Sequence, residues 1–286
     1  MAKLLDTSWK NWTQENLELG VPQEKIFDTL VKNNFDLNDI KHNLNEFNVN
    51  KLSKNKQKKV VPQTKVQNTI QSNTYNIIGA VPVEVVGGEL ELFTIKNFLN
   101  ESECEELVTL IKSDMKKSSV SIANRAEGYI DDSVRTSSTC NLVRQKSNVV
   151  KNIDERILEC IGIHSSRAEA IQGQHYDETQ EFKQHTDTFA PNSEEYKLHC
   201  ENSGGQRTWT FMIYLNETEE GGETRFNLLK NTDNEELLFK PELGMAVVWN
   251  NLNKDGSPNR FSLHQGCPVK KGSKTIITKW FRERKV

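Results

Sequence analysis

No run of apolar residues in this 286-residue chain approaches the length of a membrane span, and the opening Met1-Ala2-Lys3-Leu4-Leu5-Asp6 lacks the apolar region of a secretory leader. The expectation is a soluble cytoplasmic protein with no membrane partner. Cysteine is scarce and scattered: Cys104, Cys140, Cys160, Cys200 and Cys267 are odd in number and form no C-x-x-C pair. That pattern suits reduced thiols in a cytosol better than a disulfide framework or a zinc site. Basic excess is missing too. Net charge is −3; residues 1–70 hold eleven Lys against eight acids, leaving 26 basic against 32 acidic residues elsewhere. The mildly acidic remainder argues against a nucleic-acid channel. Phosphate loops are absent: Gly87-Gly88, Gly204-Gly205 and Gly221-Gly222 precede neither Lys-Ser/Thr nor an obvious helix, so they read as turns.

What is present divides the chain into three. Residues 4–18, with Trp9 and Trp12 on one side, then Ile26, Phe27, Leu30 and Val31, then Leu37, Ile40, Leu44 and Phe47 recur at helical spacing. They predict a small three-helix unit over 1–47, either a docking module for a protein partner or a stabilising appendage. Residues 48–75 carry Lys51, Lys54, Lys56, Lys58, Lys59 and Lys65 with no acid among Asn, Gln and Ser. Low hydrophobicity with like charges does not fold, so a basic, solvated linker is expected in preference to a basic tether for an acidic partner or nucleic acid. Residues 76–286 form the third part.

In that part, Asn100 with Glu103 three on predicts a capping box opening a helix with Leu107, Val108, Ile111 and Met115 on its inner face. A second helix over 149–161 is stopped by Gly162. Between them, polar residues 118–135 read as a mobile loop. Strands are expected at 168–176, 181–187, 207–215, 223–227, 245–250, 261–264 and 274–281. Helices followed by short strands and Gly turns predict a mainly β fold, two sheets rolled together with helices braced on one side.

The chemistry-bearing residues lie in those strands. Alternate strand side chains share a face, so His185 and Asp187 can converge, and His264 from a distant strand completes two imidazoles and a carboxylate. That set leaves one side of a metal ion open, the arrangement of non-haem Fe(II) oxygenases. Lys274 offers a cation for a co-substrate carboxylate. His175 points away from its neighbour Tyr176 and is expected to be no ligand; His42, His164 and His199 read as surface residues. Alternation also groups Lys274, Ile276, Thr278 and Trp280 on one face, and separates Thr208, Thr210 and Tyr214 from Trp209, Phe211 and Ile213.

Several stretches together resemble the prolyl 4-hydroxylase family of Fe(II)/2-oxoglutarate dioxygenases. They are Arg135-Thr136-Ser137, Gln174-His175-Tyr176, Gln184-His185-Thr186-Asp187-Thr188-Phe189, Gly204-Gly205-Gln206-Arg207-Thr208-Trp209-Thr210, and Tyr214-Leu215-Asn216. Glu220-Gly221-Gly222-Glu223-Thr224-Arg225-Phe226, Ser262-Leu263-His264-Gln265-Gly266-Cys267-Pro268-Val269 and Gly272-Ser273-Lys274 with Lys279-Trp280 follow in the same order. The resemblance covers residues 90–284 and implies a double-stranded β-helix, the jelly-roll or cupin-like core. It implies iron ligands at His185, Asp187 and His264, and 2-oxoglutarate contacts at Lys274, Tyr176 and Thr210. Arg135, Ser137 and Trp280 take the substrate-binding positions. The implied activity is hydroxylation of a prolyl residue in a peptide or protein with Fe(II), 2-oxoglutarate, O2 and ascorbate, giving succinate and CO2. Two alternatives stay open: hydroxylation of a free amino acid or other small molecule, and a non-catalytic binding protein on the same fold. The polar segment 190–203 departs from the family pattern.

Overall fold

The computed structural model describes residues 3–5, 9–10, 13, 23–33, 35–37, 39–44, 70–71, 76–122, 125–129, 131–143 and 147–286. The chain divides into two compact units, residues 1–66 and 67–286. In the first, helix α1 (Gln23–Lys32) and helical residues 39–44 bury Ile26, Leu30, Ile40 and Leu44 with Leu5 and Phe35. Phe35 takes the place expected for Leu37, which is exposed. A backbone bridge from Phe35 to Lys3 lays its ring against Trp9, centroids 5.0 Å apart. Most of the expected helix over 4–18, Phe47 and the six linker lysines lie outside the described residues.

The larger unit has two main sheets and three two-stranded pairs. The strands of the main sheets are β1 (Val81–Pro82), β2 (Leu92–Ile95), β3 (Lys116–Lys117), β4 (Ser138–Leu142), β5 (Ile171–Tyr176), β6 (Phe182–His185), β7 (Arg207–Tyr214), β8 (Thr224–Lys230), β9 (Glu236–Phe239), β10 (Ala246–Asn250), β11 (His264–Gly266) and β12 (Lys274–Arg282). The eight-stranded sheet runs β1-β2-β10-β7-β12-β5-β4-β3 and the four-stranded sheet β6-β11-β8-β9. From β5 onward the chain passes repeatedly from one sheet to the other, and its paired strands are antiparallel: a double-stranded β-helix. Ile70–Gln71 also pairs with Asn76–Ile77, ahead of the boundary expected at 76.

The period-2 alternation of β7 creates two cores. Trp209, Phe211 and Ile213 face helices α2 (Glu101–Ser113) and α3 (Asn148–Ile161), joining Leu107, Ile111, Ile153 and Ile157. Met212 and Tyr214 face the small sheet, with Phe226, Trp249 and Ile276. The capping box forms as expected: Asn100 Oδ1 accepts from the Glu103 amide at 3.0 Å, and Glu103 Oε2 accepts from the Asn100 amide at 3.0 Å. Gly162 ends α3 at φ +72°, a backbone state that glycine adopts without a Cβ clash. Helix α2 meets β5 at Gly173, where any Cβ would lie 2.4 Å from Ile111 Cγ1.

Several boundaries differ from expectation. The stretch expected as a loop at 118–135 contains a hairpin, Val120–Ile122 paired with Arg125–Tyr129. Main-chain bonds build such a ribbon, so its polar composition gave no strand signal. The expected strand at 261–264 is a 3-10 turn (Arg260–Ser262) leading into β11. Strand β6 stops at His185, so Asp187 sits in the bend that follows. No helix among the described residues is long and apolar enough to cross a membrane.

Candidate metal centre

Strand pairing places the two imidazoles. His185 at the end of β6 is the cross-strand partner of His264 at the start of β11, with ring centroids 4.3 Å apart. The bend after β6 swings Asp187 onto the same point. Ligand atoms of His185, Asp187 and His264 all lie within 4.8 Å of one another, so the break in the expected strand does not separate the set. Phe182 stacks on His185 at 3.6 Å between centroids, and Trp249 meets His264 edge-on at 4.9 Å.

Hydrogen bonds fix both rings in a metal-ready tautomer. His185 Nδ1 is 2.7 Å from the Lys183 carbonyl oxygen, and His264 Nδ1 is 2.8 Å from that of Ser262. Since a carbonyl only accepts, each Nδ1 carries a proton, and in the neutral ring each Nε2 presents a lone pair. Burial, reinforced by the facing His264, pushes the His185 imidazole down to about 3, so the ring is neutral at ordinary pH. Burial pushes the Asp187 carboxyl up, but His264, His185, Arg207 and the Thr210 hydroxyl outweigh it and hold it below the usual range. Two neutral imidazoles and one carboxylate are the donor set that suits Fe(II) and leaves coordination positions open.

Lys274 enters the same cavity from β12. The residue is 1% exposed, and the hydrogen bond its ammonium makes among the described residues is to a hydroxyl, not a carboxylate. Burial pushes its pKa down to about 8. Nζ lies 3.5 Å from Thr224 Oγ1, which in turn accepts from the Tyr214 hydroxyl at 2.7 Å. An unpaired buried cation beside a hydroxyl is a receptor for a carboxylate.

Arg135, Tyr176, His185, Asp187, Thr210, His264, Lys274 and Trp280 all line one narrow cavity. The face shared by Lys274, Ile276, Thr278 and Trp280 is therefore as expected. Ser137 does not line it; it stands behind Arg135, accepting from Arg135 Nε at 2.9 Å. Tyr176 donates to Gln174 Oε1 at 2.8 Å, and its ring centroid lies 5.3 Å from Lys274 Nζ. Thr210 lines the cavity as well. It points at the metal ligands, donating to Asp187 Oδ2 at 2.6 Å, and the hydroxyl beside Lys274 is Thr224.

Thr224 was overlooked although its motif, Gly221-Gly222-Glu223-Thr224, was in view. Its alternation with Phe226, both facing the core from β8, was the available signal. Arg207 was overlooked as well. Its guanidinium stacks 3.9 Å from the Trp280 ring centroid and is held by Glu169 through two bonds of 2.7 and 2.8 Å. His199 is half-buried and stacked on Phe189 at 5.2 Å, where a surface position was expected. The segment 190–203 supplies that contact through a short helix and a π-turn anchored by Arg282. The His175 ring is engaged elsewhere: Nδ1 lies 2.8 Å from Thr275 Oγ1 and Nε2 3.3 Å from Asp177. A larger cavity of about 460 Å3, lined by residues such as Glu89, Thr208, Asn250 and Lys254, contains none of these donors.

Residues 171–282 match the family model described as the 2OG-Fe(II) oxygenase superfamily. Probable prolyl 4-hydroxylase 3 of Arabidopsis thaliana is 35% identical over 210 residues, covering 69% of this chain and 71% of that one. Prolyl 4-hydroxylase 5 of the same organism is 36% identical over 212 residues, covering 70% of each. The solved 2OG complex of a viral collagen prolyl hydroxylase from Paramecium Bursaria Chlorella virus-1 aligns at 24% identity and a TM-score of 0.48, covering 67% of this chain and 95% of that one.

Proposed function

The chain belongs to the prolyl 4-hydroxylase family of the 2OG-Fe(II) oxygenases, and from that membership we propose that it hydroxylates a prolyl residue within a peptide or protein. One observation carries the chemical part of the reading. His185, Asp187 and His264 converge in the cavity that also receives the unpaired Lys274 ammonium. A binding protein gains nothing from burying a lone cation beside a metal-ready triad, and such burial is costly unless a ligand pairs it.

Bound at the triad, Fe(II) supplies the redox chemistry that couples decarboxylation of 2-oxoglutarate by O2, giving succinate and CO2, to hydroxylation of a C–H bond. The chain's own residues hold and orient. Lys274, aided by the Thr224 hydroxyl, takes the distal carboxylate of 2-oxoglutarate, so the 2-oxo acid end reaches the triad. The Nδ1 bonds of His185 and His264 orient both rings and select the tautomer whose Nε2 is left for the metal ion.

On the substrate side, Trp280 presents an apolar plane for a pyrrolidine ring, held in place by the Arg207 stack. The Trp280 indole N–H is buried with no hydrogen-bond partner among the described residues, which suits donation to a substrate carbonyl. Arg135, lying over the Phe182 ring at 4.6 Å, offers further donors to an extended peptide. A proline in the polyproline II conformation leaves its carbonyls unpaired for such donors. Ascorbate, which restores Fe(II) after uncoupled turnover in this chemistry, belongs to the proposal as a supporting reductant. The test is succinate release from 2-oxoglutarate with Fe(II) and ascorbate, with and without proline-rich peptides. Stimulation by peptide supports the reading; stimulation by free proline alone moves it to the small-molecule alternative.

A further inference from the structure

Asn251, the residue after β10, is fully buried, and its side chain touches the metal centre through one intermediary. Its Nδ2 lies 2.8 Å from Thr210 Oγ1, and that hydroxyl lies 2.6 Å from Asp187 Oδ2. A hydroxyl has one proton to give, whereas an amide nitrogen only donates and an ionised carboxylate only accepts. The direction of the chain is therefore forced: Asn251 donates to Thr210, and Thr210 donates to Asp187. The reverse amide orientation would take the Thr210 proton and leave Asp187 Oδ2 facing an oxygen with no hydrogen between them.

We propose that Asn251 is a positioning residue of the metal centre, acting through Thr210 to clamp Asp187 Oδ2 and leave the other carboxylate oxygen for the metal ion. The inference rests on the metal-site reading above. Two observations separate this role from ordinary loop anchoring. The main-chain bonds that hold the 251–259 loop, from the Asn251 amide to the Thr208 carbonyl at 2.7 Å and from the Asn259 amide to the Asn251 carbonyl at 2.8 Å, need no particular side chain. The Asn251 carbonyl oxygen, Oδ1, is buried without a hydrogen-bond partner among the described residues. A residue kept merely to fill space has no reason to retain that uncompensated acceptor, while a residue needed for its Nδ2 end does. Outer-shell bonds of this kind orient a ligand and set its affinity for metal, and losing one weakens binding by about ten- to a hundredfold.

The test is titration of the full-length apoprotein with Co(II), read by its dissociation constant and its visible absorption, in proteins shown folded by circular dichroism. His185→Ala serves as the control. If wild type binds no better than His185→Ala, the metal-site reading itself has failed, and the relay with it. If wild type binds and the control does not, Asn251→Leu and Thr210→Val are each expected to weaken Co(II) about tenfold or more and to alter the absorption bands. Thr210→Ser, which keeps the hydroxyl, is expected to stay near wild type. In the Thr210→Val background, Asn251→Leu is expected to add nothing, because the relay is already cut. Unchanged Co(II) affinity and spectrum in Thr210→Val overturns the proposal even where Asn251→Leu folds poorly. Fully additive losses in the double variant overturn it as well.

Discussion

His185 and His264 are cross-strand partners, one from β6 and one from β11, with ring centroids 4.3 Å apart. The ladder of the small sheet therefore sets the spacing of the two imidazoles, and neither depends on a loop for its position. Replacing either ring with alanine is expected to abolish Fe(II)-dependent 2-oxoglutarate turnover while the fold survives, since the strands pair through their main chains. Asp187→Ala is expected to do the same. Succinate assays paired with thermal melts check this; substantial turnover by any of the three contradicts the triad assignment.

Lys274→Ala is expected to raise the 2-oxoglutarate requirement far more than it weakens iron binding. A charge-assisted bond contributes about 1.5–3 kcal/mol, roughly ten- to a hundredfold in affinity. The measurement is the 2-oxoglutarate KM beside a Co(II) titration; an unchanged KM means another cation holds that carboxylate.

The same lysine makes stability depend on pH. Burial lowers its pKa from the ordinary 10.5 to about 8, so between these values the unfolded chain binds a proton that the folded protein does not. Stability of the ligand-free protein from this group therefore rises with pH across that window. Bound 2-oxoglutarate pairs the ammonium, raises its pKa and flattens the rise. Urea midpoints at several pH values, with and without 2-oxoglutarate, measure this in wild type and in Lys274→Met, where this rising contribution should be lost.

Gly173→Val is expected to destabilise the catalytic unit by about 1–3 kcal/mol, the usual cost of overpacking. A Cβ there meets Ile111 Cγ1 at 2.4 Å, and both residues lie in the packed interface between α2 and β5. Urea denaturation reads the loss, and an Ile111→Ala partner change should recover part of it.

The sequence made much of this legible and hid the rest for identifiable reasons. Ligands and lysine were readable because His185, Asp187, His264 and Lys274 are residue types whose order along the chain carries the chemistry. The two faces of β7 followed from alternation alone. The Thr210 bond to Asp187 was not legible because the direction of a hydroxyl bond depends on what occupies its lone pairs, here the Asn251 amide 41 residues away. Alternation put Thr224 on the core face of β8, but its contact with Lys274 arises only once the small sheet packs on the large one. The hairpin at 120–129 was hidden by its polar composition, and the Arg207 stack on Trp280 joins residues that no periodicity connects.

The central claim is a peptidyl-proline hydroxylase working through the triad and Lys274. It is tested most directly by mass spectrometry of a proline-rich peptide incubated with Fe(II), 2-oxoglutarate, ascorbate and isotopically labelled O2. The account predicts one labelled oxygen on a proline ring for the wild-type protein and none for His264→Ala. Peptide left unmodified by wild type across proline-rich sequences while free proline is hydroxylated, or equal labelling by His264→Ala, would contradict it.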